Sequence, residues 1–159
     1  MTKSKYLYLK ECESILFKYL DYYIYEFSTQ IHIKVVYRSD LLSWIEVELF
    51  NDKSNRIIQV IISEGINADN QQSFGIRTNI CKTEKTGEKI SAFGVKDYSR
   101  SINSDIEFNE YYLSTHDQFL GFLVNYLRNL AKFLELPELV GILFSNRWIQ
   151  IIPDYSPYK

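Results

Sequence analysis

The hydrophobic period of this chain changes twice along its length. From about Leu9 to Phe27 the apolar residues Cys12, Ile15, Leu16, Tyr19, Leu20, Tyr23, Ile24 and Phe27 recur at steps of three and four, with Glu11, Glu13, Lys18, Asp21 and Glu26 between them. That spacing lays one stripe along an α-helix. From Ile31 the step becomes two: Ile31, Ile33, Val35 and Tyr37 alternate with His32, Lys34, Val36 and Arg38, the pattern of a strand with one covered face. The helical step returns after Ser114. A helix-period sequence does not settle into a sheet, nor the reverse, so the two switches dictate an α+β fold. The expected architecture is an antiparallel β-sheet of about five to seven strands with an N-terminal helix and a C-terminal helix packed on it.

Strand faces can be read residue by residue. Between Trp44 and Phe50, Ile45, Val47 and Leu49 form one face and Trp44, Glu46, Glu48 and Phe50 the other. The polar run Asn51 to Asn55 is a hairpin connection, which makes the next strand antiparallel. Ile57 to Ile62 is apolar on both faces apart from Gln59, as in a central strand. After a loop over Glu64 to Ser73, alternation resumes from Phe74 to Cys81, and Lys82 to Glu88 is a hairpin tip. A fifth strand is expected over Lys89 to Tyr98 and a sixth over Asp105 to Leu113, joined by a loop from Arg100 to Ser104. Ser114 and Thr115, followed by Asp117 and Gln118, offer two overlapping capping boxes for a helix that runs to Leu134 and is stopped by Pro137. Glu138 to Phe144 reads as a short helix, Trp148 to Ile152 as a last strand, and 154–159 as a free tail.

At 159 residues with no proline before Pro137, the chain reads as a single domain, 1–159, able to bury its own core. A formal net charge of −2 and the lack of a basic stripe argue against direct binding to nucleic acid. No apolar run approaches the roughly 18 residues of a membrane span, and no secretory pattern follows Met1. Cys12 and Cys81 stand apart with no second ligand at metal spacing and read as reduced core thiols, which points to the cytoplasm. The glycines form no phosphate-cradling motif. No cofactor, metal or catalytic residue is therefore expected.

Two stretches carry candidate chemistry. Glu46 and Glu48 share a strand face, which sets them about 7 Å apart, and Trp44 and Phe50 flank them; a solvated face is the plain reading, a contact surface the functional one. The segment Asp97 to Asp117 holds Asp97, Asp105, Glu107, Glu110 and Asp117 against Arg100 alone, interleaved with Tyr98, Phe108, Tyr111 and Tyr112. Acids supply steering charge and tyrosines supply rigid anchors, a combination suited to a basic protein surface. Of the two histidines, His32 lies on the strand face opposite the core set, and His116 sits beside Asp117 in the capping sequence. Neighbouring helix residues do not face each other, so that pair makes a poor general base.

In overall plan, a lone small domain with a helix, an antiparallel meander, a late capped helix and an acid-and-tyrosine surface, the chain resembles bacterial immunity proteins that neutralise a cognate toxin, including those of contact-dependent growth inhibition systems. The resemblance covers the whole chain and carries no functional residue across. It implies a one-to-one complex with a toxin domain, often a nuclease, whose basic active-site surface is occluded. The expected contact residues, read from the sequence itself, are Trp44, Glu46, Glu48, Phe50, Asp97, Asp105, Glu107, Glu110, Tyr111 and Tyr112. Two alternatives stay open: a small enzyme or ligand-binding domain with a pocket between sheet and helices that uses His32 or His116, and an oligomeric adaptor in which Trp44 and Phe50 pair across a two-fold axis.

Overall fold

The computed structural model describes residues 5–27, 30–37, 43–51, 53–145 and 147–148, with side chains at 8–21, 23 and from 45 onward within those ranges. The first helix, α1, spans Lys5–Phe27. Four long strands follow as an antiparallel meander: β1 (Gln30–Tyr37), β2 (Ser43–Asn51), β3 (Arg56–Ile66) and β4 (Gln72–Thr83). Then come β5 (Lys89–Gly94), a short helix α2 (Val95–Ser101), β6 (Tyr111–Leu113), the long helix α3 (His116–Leu134) and α4 (Pro137–Phe144). The sheet order is β1-β2-β3-β4-β5, and β6 pairs with β4 at the end that β5 leaves open. The α+β architecture expected from the period switches is the one observed.

One face of the sheet and the two long helices make the main core. Ile45, Val47 and Leu49 of β2, Ile58, Val60 and Ile62 of β3, and Phe74, Ile76 and Ile80 of β4 are buried with Leu9, Cys12, Leu16 and Leu20 of α1. The α3 stripe of Phe119, Leu123, Leu127, Leu130 and Phe133 completes the layer. Each such side chain contributes about 1.5–3 kcal/mol on full burial. Two tyrosines bring polar ends into this core and satisfy them: Tyr23 donates to the Ala131 carbonyl at 2.8 Å, and the Tyr126 and Thr78 hydroxyls are 2.8 Å apart.

Turn chemistry sharpens the hairpins. The loop expected over Glu64 to Ser73 shrinks to five residues between β3 and β4 because Asn67 Oδ1 accepts the backbone N–H groups of Asp69 and Gln71, and Asn70 takes a left-handed φ of 60°. Of the two capping registers, Thr115 with Gln118 is the one used, and both of its reciprocal bonds form.

Two expectations are corrected. The fifth strand ends at Gly94, and the residues taken to continue it form α2 instead. Its signal is the spacing of Val95, Tyr98 and Ser99, which are buried on one helical side, with Asp97 in the first turn and Arg100 in the last to suit the helix dipole. The sixth strand is only Tyr111–Leu113; over 103–110 the chain runs irregularly, and Phe108 is buried against Tyr126 and Phe133. Trp148 is not in a strand, while 149–152 and the tail 154–159 lie outside the described residues.

The junction of β3 with α4 holds an unusual group. Arg56 is 2% exposed, and its guanidinium donates to the carbonyls of Ile142 (3.0 Å), Ser54 (2.7 Å), Asn55 (3.2 Å) and Arg147 (3.0 Å). Beside it, Ser54 Oγ donates to the Leu143 carbonyl at 2.7 Å. The last carbonyls of α4 thus find donors that the helix cannot supply, and a cation sits at its negative end.

Candidate functional site on the second sheet face

The face of the sheet turned away from α1 and α3 gathers the two candidate stretches. Strand register sets cross-strand rows on it. Trp44 stands opposite Ser63, Ser63 opposite Gly75, and Gly75 opposite Tyr111. The next row is Glu46, Ile61 and Arg77; the third is Glu48, Gln59, Asn79 and Gly94; the fourth is Phe50, Ile57, Cys81 and Ala92. On β1, Lys34 is in register with Glu46 and His32 with Glu48. The Trp44 and Tyr111 positions, 67 places apart in sequence, therefore fall in the same row. The side chains of His32 and Trp44 lie outside the described residues.

The glutamates of this face are not free acids. Glu48 is only 5% exposed and pairs with Lys89 of β5, Nζ to Oε2 at 2.8 Å. Glu46 accepts a hydrogen bond from the Gln59 amide, whose Oε1 accepts from Asn79 Nδ2 at 3.0 Å. Asn79 Oδ1 in turn accepts from Arg77 Nε at 3.0 Å. The chain runs from a guanidinium to a carboxylate with every donor pointing the same way, so each link polarises the next. Phe50 and Cys81 are packed in a small second cluster with Ile57 and Ala92. Burial pushes the Cys81 thiol up to about 12, with Lys89 opposing and Glu48 and Glu46 adding to the rise.

The end of the face nearer β6 is open. A groove of about 370 Å³ lies over Ile61, Ser63 and Gly75, bounded by Arg77, Glu110 and Tyr111. A side chain at Gly75 would start 2.7 Å from Ser63 Oγ and 3.4 Å from the Glu110 carbonyl, so glycine keeps the groove floor flat. The backbone is fixed there by the Ile76 N–H donating to the Glu110 carbonyl at 3.0 Å. Burial raises the Glu110 carboxyl pKa; Arg77, Lys96 and Arg100 oppose the rise and Asp97 adds to it. Two exposed apolar side chains of β6 stand at this end of the face: Tyr111, at the groove edge, is 54% exposed and Leu113, two residues on, 52%. Tyr112 points the other way, stacked on Phe122 with centroids 4.8 Å apart and edge-on to Phe119.

The fold sorts the acidic segment. Asp97 is half-buried, its Oδ2 and an Arg77 terminal nitrogen both within 3.7 Å of the Cβ position at Gly94, so it belongs with the sheet face. Asp105 and Glu107 are exposed on the segment between α2 and β6, away from the groove lining. His116 does not use Asp117. Its Nε2 donates to Glu64 Oε1 at 2.7 Å, Gln72 Nε2 donates to the same oxygen at 3.2 Å, and the ring lies 4.5 Å from that of Tyr8. That arrangement pins the start of α3 to the β3–β4 hairpin. Among the described residues no three His, Cys, Asp or Glu side chains are placed to hold a metal, and no helix is long and apolar enough to cross a membrane.

Sequence reasoning missed Ser63, Gly75, Arg77 and Asn79. The signals available for them were slight: Gln59 as the lone polar residue of an apolar run, and a glycine inside an alternating strand. No protein-family model matches the chain, and neither a curated protein nor a solved structure matches it.

Proposed function

We propose that this protein is an immunity-type inhibitor, acting in the cytoplasm, that binds a cognate bacterial toxin domain and occludes its basic surface, a nuclease active site being the fitting target. The observation that carries this reading is the convergence of the two candidate stretches on one sheet face, where the groove over Gly75 is bounded by exposed Tyr111 and by Glu110, with exposed Leu113 two residues further along β6. Exposed aromatic and aliphatic groups at an interface centre dominate affinity, with about 2 kcal/mol or more for each true anchor. Steering falls to the exposed acids. Asp105 and Glu107 are open to solvent, whereas Glu48 is already neutralised by Lys89 and Glu46 is held by Gln59.

The test is titration calorimetry of the purified protein against the catalytic domain encoded by the gene immediately upstream. A tight one-to-one complex that Tyr111→Ala with Leu113→Ala weakens at least 30-fold supports the reading. The double charge reversal Asp105→Lys with Glu107→Lys should slow association and flatten its salt dependence. No binding to that domain, or full affinity in the Tyr111→Ala, Leu113→Ala variant, sinks it. Self-association through the same residues, read by light scattering, would replace it with the oligomeric alternative.

A further inference from the structure

A larger cleft, of about 540 Å³, opens between α2, the 103–110 segment and α3, apart from the groove over Gly75. Helical spacing sorts the charges of α2 between the two. Lys96 and Arg100, four residues apart, line this cleft, whereas Asp97 lies by Gly94 and Arg77. Across from them α3 presents Asn125 and Asn129, again four apart. We propose that this cleft binds a small hydroxylated organic anion of the sugar-phosphate kind, with Lys96 and Arg100 taking the anionic group and the two asparagine amides the hydroxyls.

The unused hydrogen-bonding capacity of the lining decides the chemistry. Among the described residues Lys96 and Arg100 form no ion pair, acting only at longer range on Glu110, and the Asn125 amide forms no hydrogen bond. Asn129 spends only its Nδ2, on the Glu107 carbonyl at 3.4 Å, which leaves Oδ1 to accept. Asn109 spends only Oδ1, on the Tyr111 N–H at 3.3 Å, which leaves its NH₂ to donate. Glu107 is the single acid of the lining, so the cleft is cationic on the α2 side and amide-rich on the α3 side. A guanidinium and an ammonium suit phosphate or carboxylate oxygens, and amides, with a donor and an acceptor on each, suit hydroxyls.

A flat aromatic ligand is disfavoured by the same lining. Phe108 is packed against Tyr126 at 5.4 Å and Phe133 at 5.3 Å, and Tyr112 lies between Phe122 and Phe119. Among the described lining residues the Phe108 and Tyr126 rings are buried in the core and the Tyr112 ring is already stacked on Phe122. The volume exceeds that of a pentose phosphate and falls within the range of small-molecule sites.

Calorimetry on the full chain with ribose 5-phosphate, ribose and inorganic phosphate tests this. The expected result is binding of ribose 5-phosphate, weaker binding of either half alone, and a loss of roughly ten- to a hundred-fold in each of Lys96→Ala and Arg100→Ala. Asn125→Ala should weaken ribose 5-phosphate while leaving inorganic phosphate unchanged. Circular dichroism checks that the surface variants keep the fold. The proposal is overturned if no probe binds at millimolar concentration or if Lys96→Ala and Arg100→Ala bind as the parent does. Inorganic phosphate binding as tightly as ribose 5-phosphate overturns the hydroxyl half.

Discussion

Replacing Arg56 by leucine removes a guanidinium that four backbone carbonyls surround. The bonds to Ile142 and Ser54 are buried, while those to Asn55 and Arg147 are partly open to water. Water can take over the second pair in the variant. It cannot reach the first pair, and a buried acceptor left without a donor costs about 1–3 kcal/mol. The loss of a cation at the C-terminal end of α4 adds about 0.3–1 kcal/mol, and the Arg56 stack on Trp148 at 5.0 Å is lost as well. Against these runs the relief of no longer holding a charge out of water, which also pulls the Arg56 pKa below its usual value. The balance is a destabilisation of about 3 kcal/mol, or a fall in Tm of about 6–12 °C for a chain of this size. Arg56→Lys keeps the charge but has no fork with which to hold several carbonyls, so it should recover about half of the loss. Urea denaturation of the three proteins with a common m-value is the assay. Leucine at full parental stability would refute the reasoning, because the carbonyls would then have no need of the donor. Lysine at full parental stability would refute the part that rests on geometry.

Three further outcomes follow from the same structure. Gln59→Leu leaves the buried Asn79 Nδ2 without its acceptor, so a loss of about 1–3 kcal/mol is expected by urea denaturation, although an amide has been exchanged for an apolar group. Because burial raises the Glu110 pKa, the folded chain holds that proton at pH values where the unfolded chain has released it. Stability therefore falls as pH rises from the ordinary carboxylate range through the raised value, and Glu110→Gln should exceed the parent in Tm near pH 7 and match it near pH 3; equal Tm values at both would contradict the shift. Burial pushes both the Cys12 and the Cys81 thiol up to about 12, so neither should react with a disulfide reagent near pH 8 in the native protein, and both should do so in denaturant.

Elements were legible where the period was long and unambiguous. The α1 and α3 stripes and the alternation of β2 and β4 need only local sequence, because each side chain faces the same layer for many residues. α2 was not legible for a physical reason: at seven residues it shows one buried triplet, and Lys89 to Gly94 ahead of it reads as a strand that has no cause to stop. The alternation of Ile106 and Phe108 imitated a strand because one side chain in two faces the helix layer, whether or not the backbone pairs. Charge was the least legible property. Counting residues leaves Glu46 and Glu48 exposed and unopposed, but Lys89 is 41 positions from Glu48 and reaches it only once β3 and β4 have set the register.

That register is itself a problem that β3 poses and the polar chain answers. Ile57 and Ile61 on one side, and Ile58, Val60 and Ile62 on the other, are apolar enough that either face of β3 could be turned to the helices. A slip of one residue would exchange the two sets at little hydrophobic cost. Gln59 breaks the symmetry. Turned to the second face it completes the chain from Arg77 through Asn79 to Glu46; turned to the helices at the place of Ile58 it would put an amide between Leu49 and Ile80 in the apolar layer. The same choice carries Ser63 and Gly75 to the second face, opposite the Trp44 and Tyr111 positions. The groove at one end of the sheet thus depends on a buried amide near the middle, and the residues that form the candidate surface are placed by a residue that does not touch it.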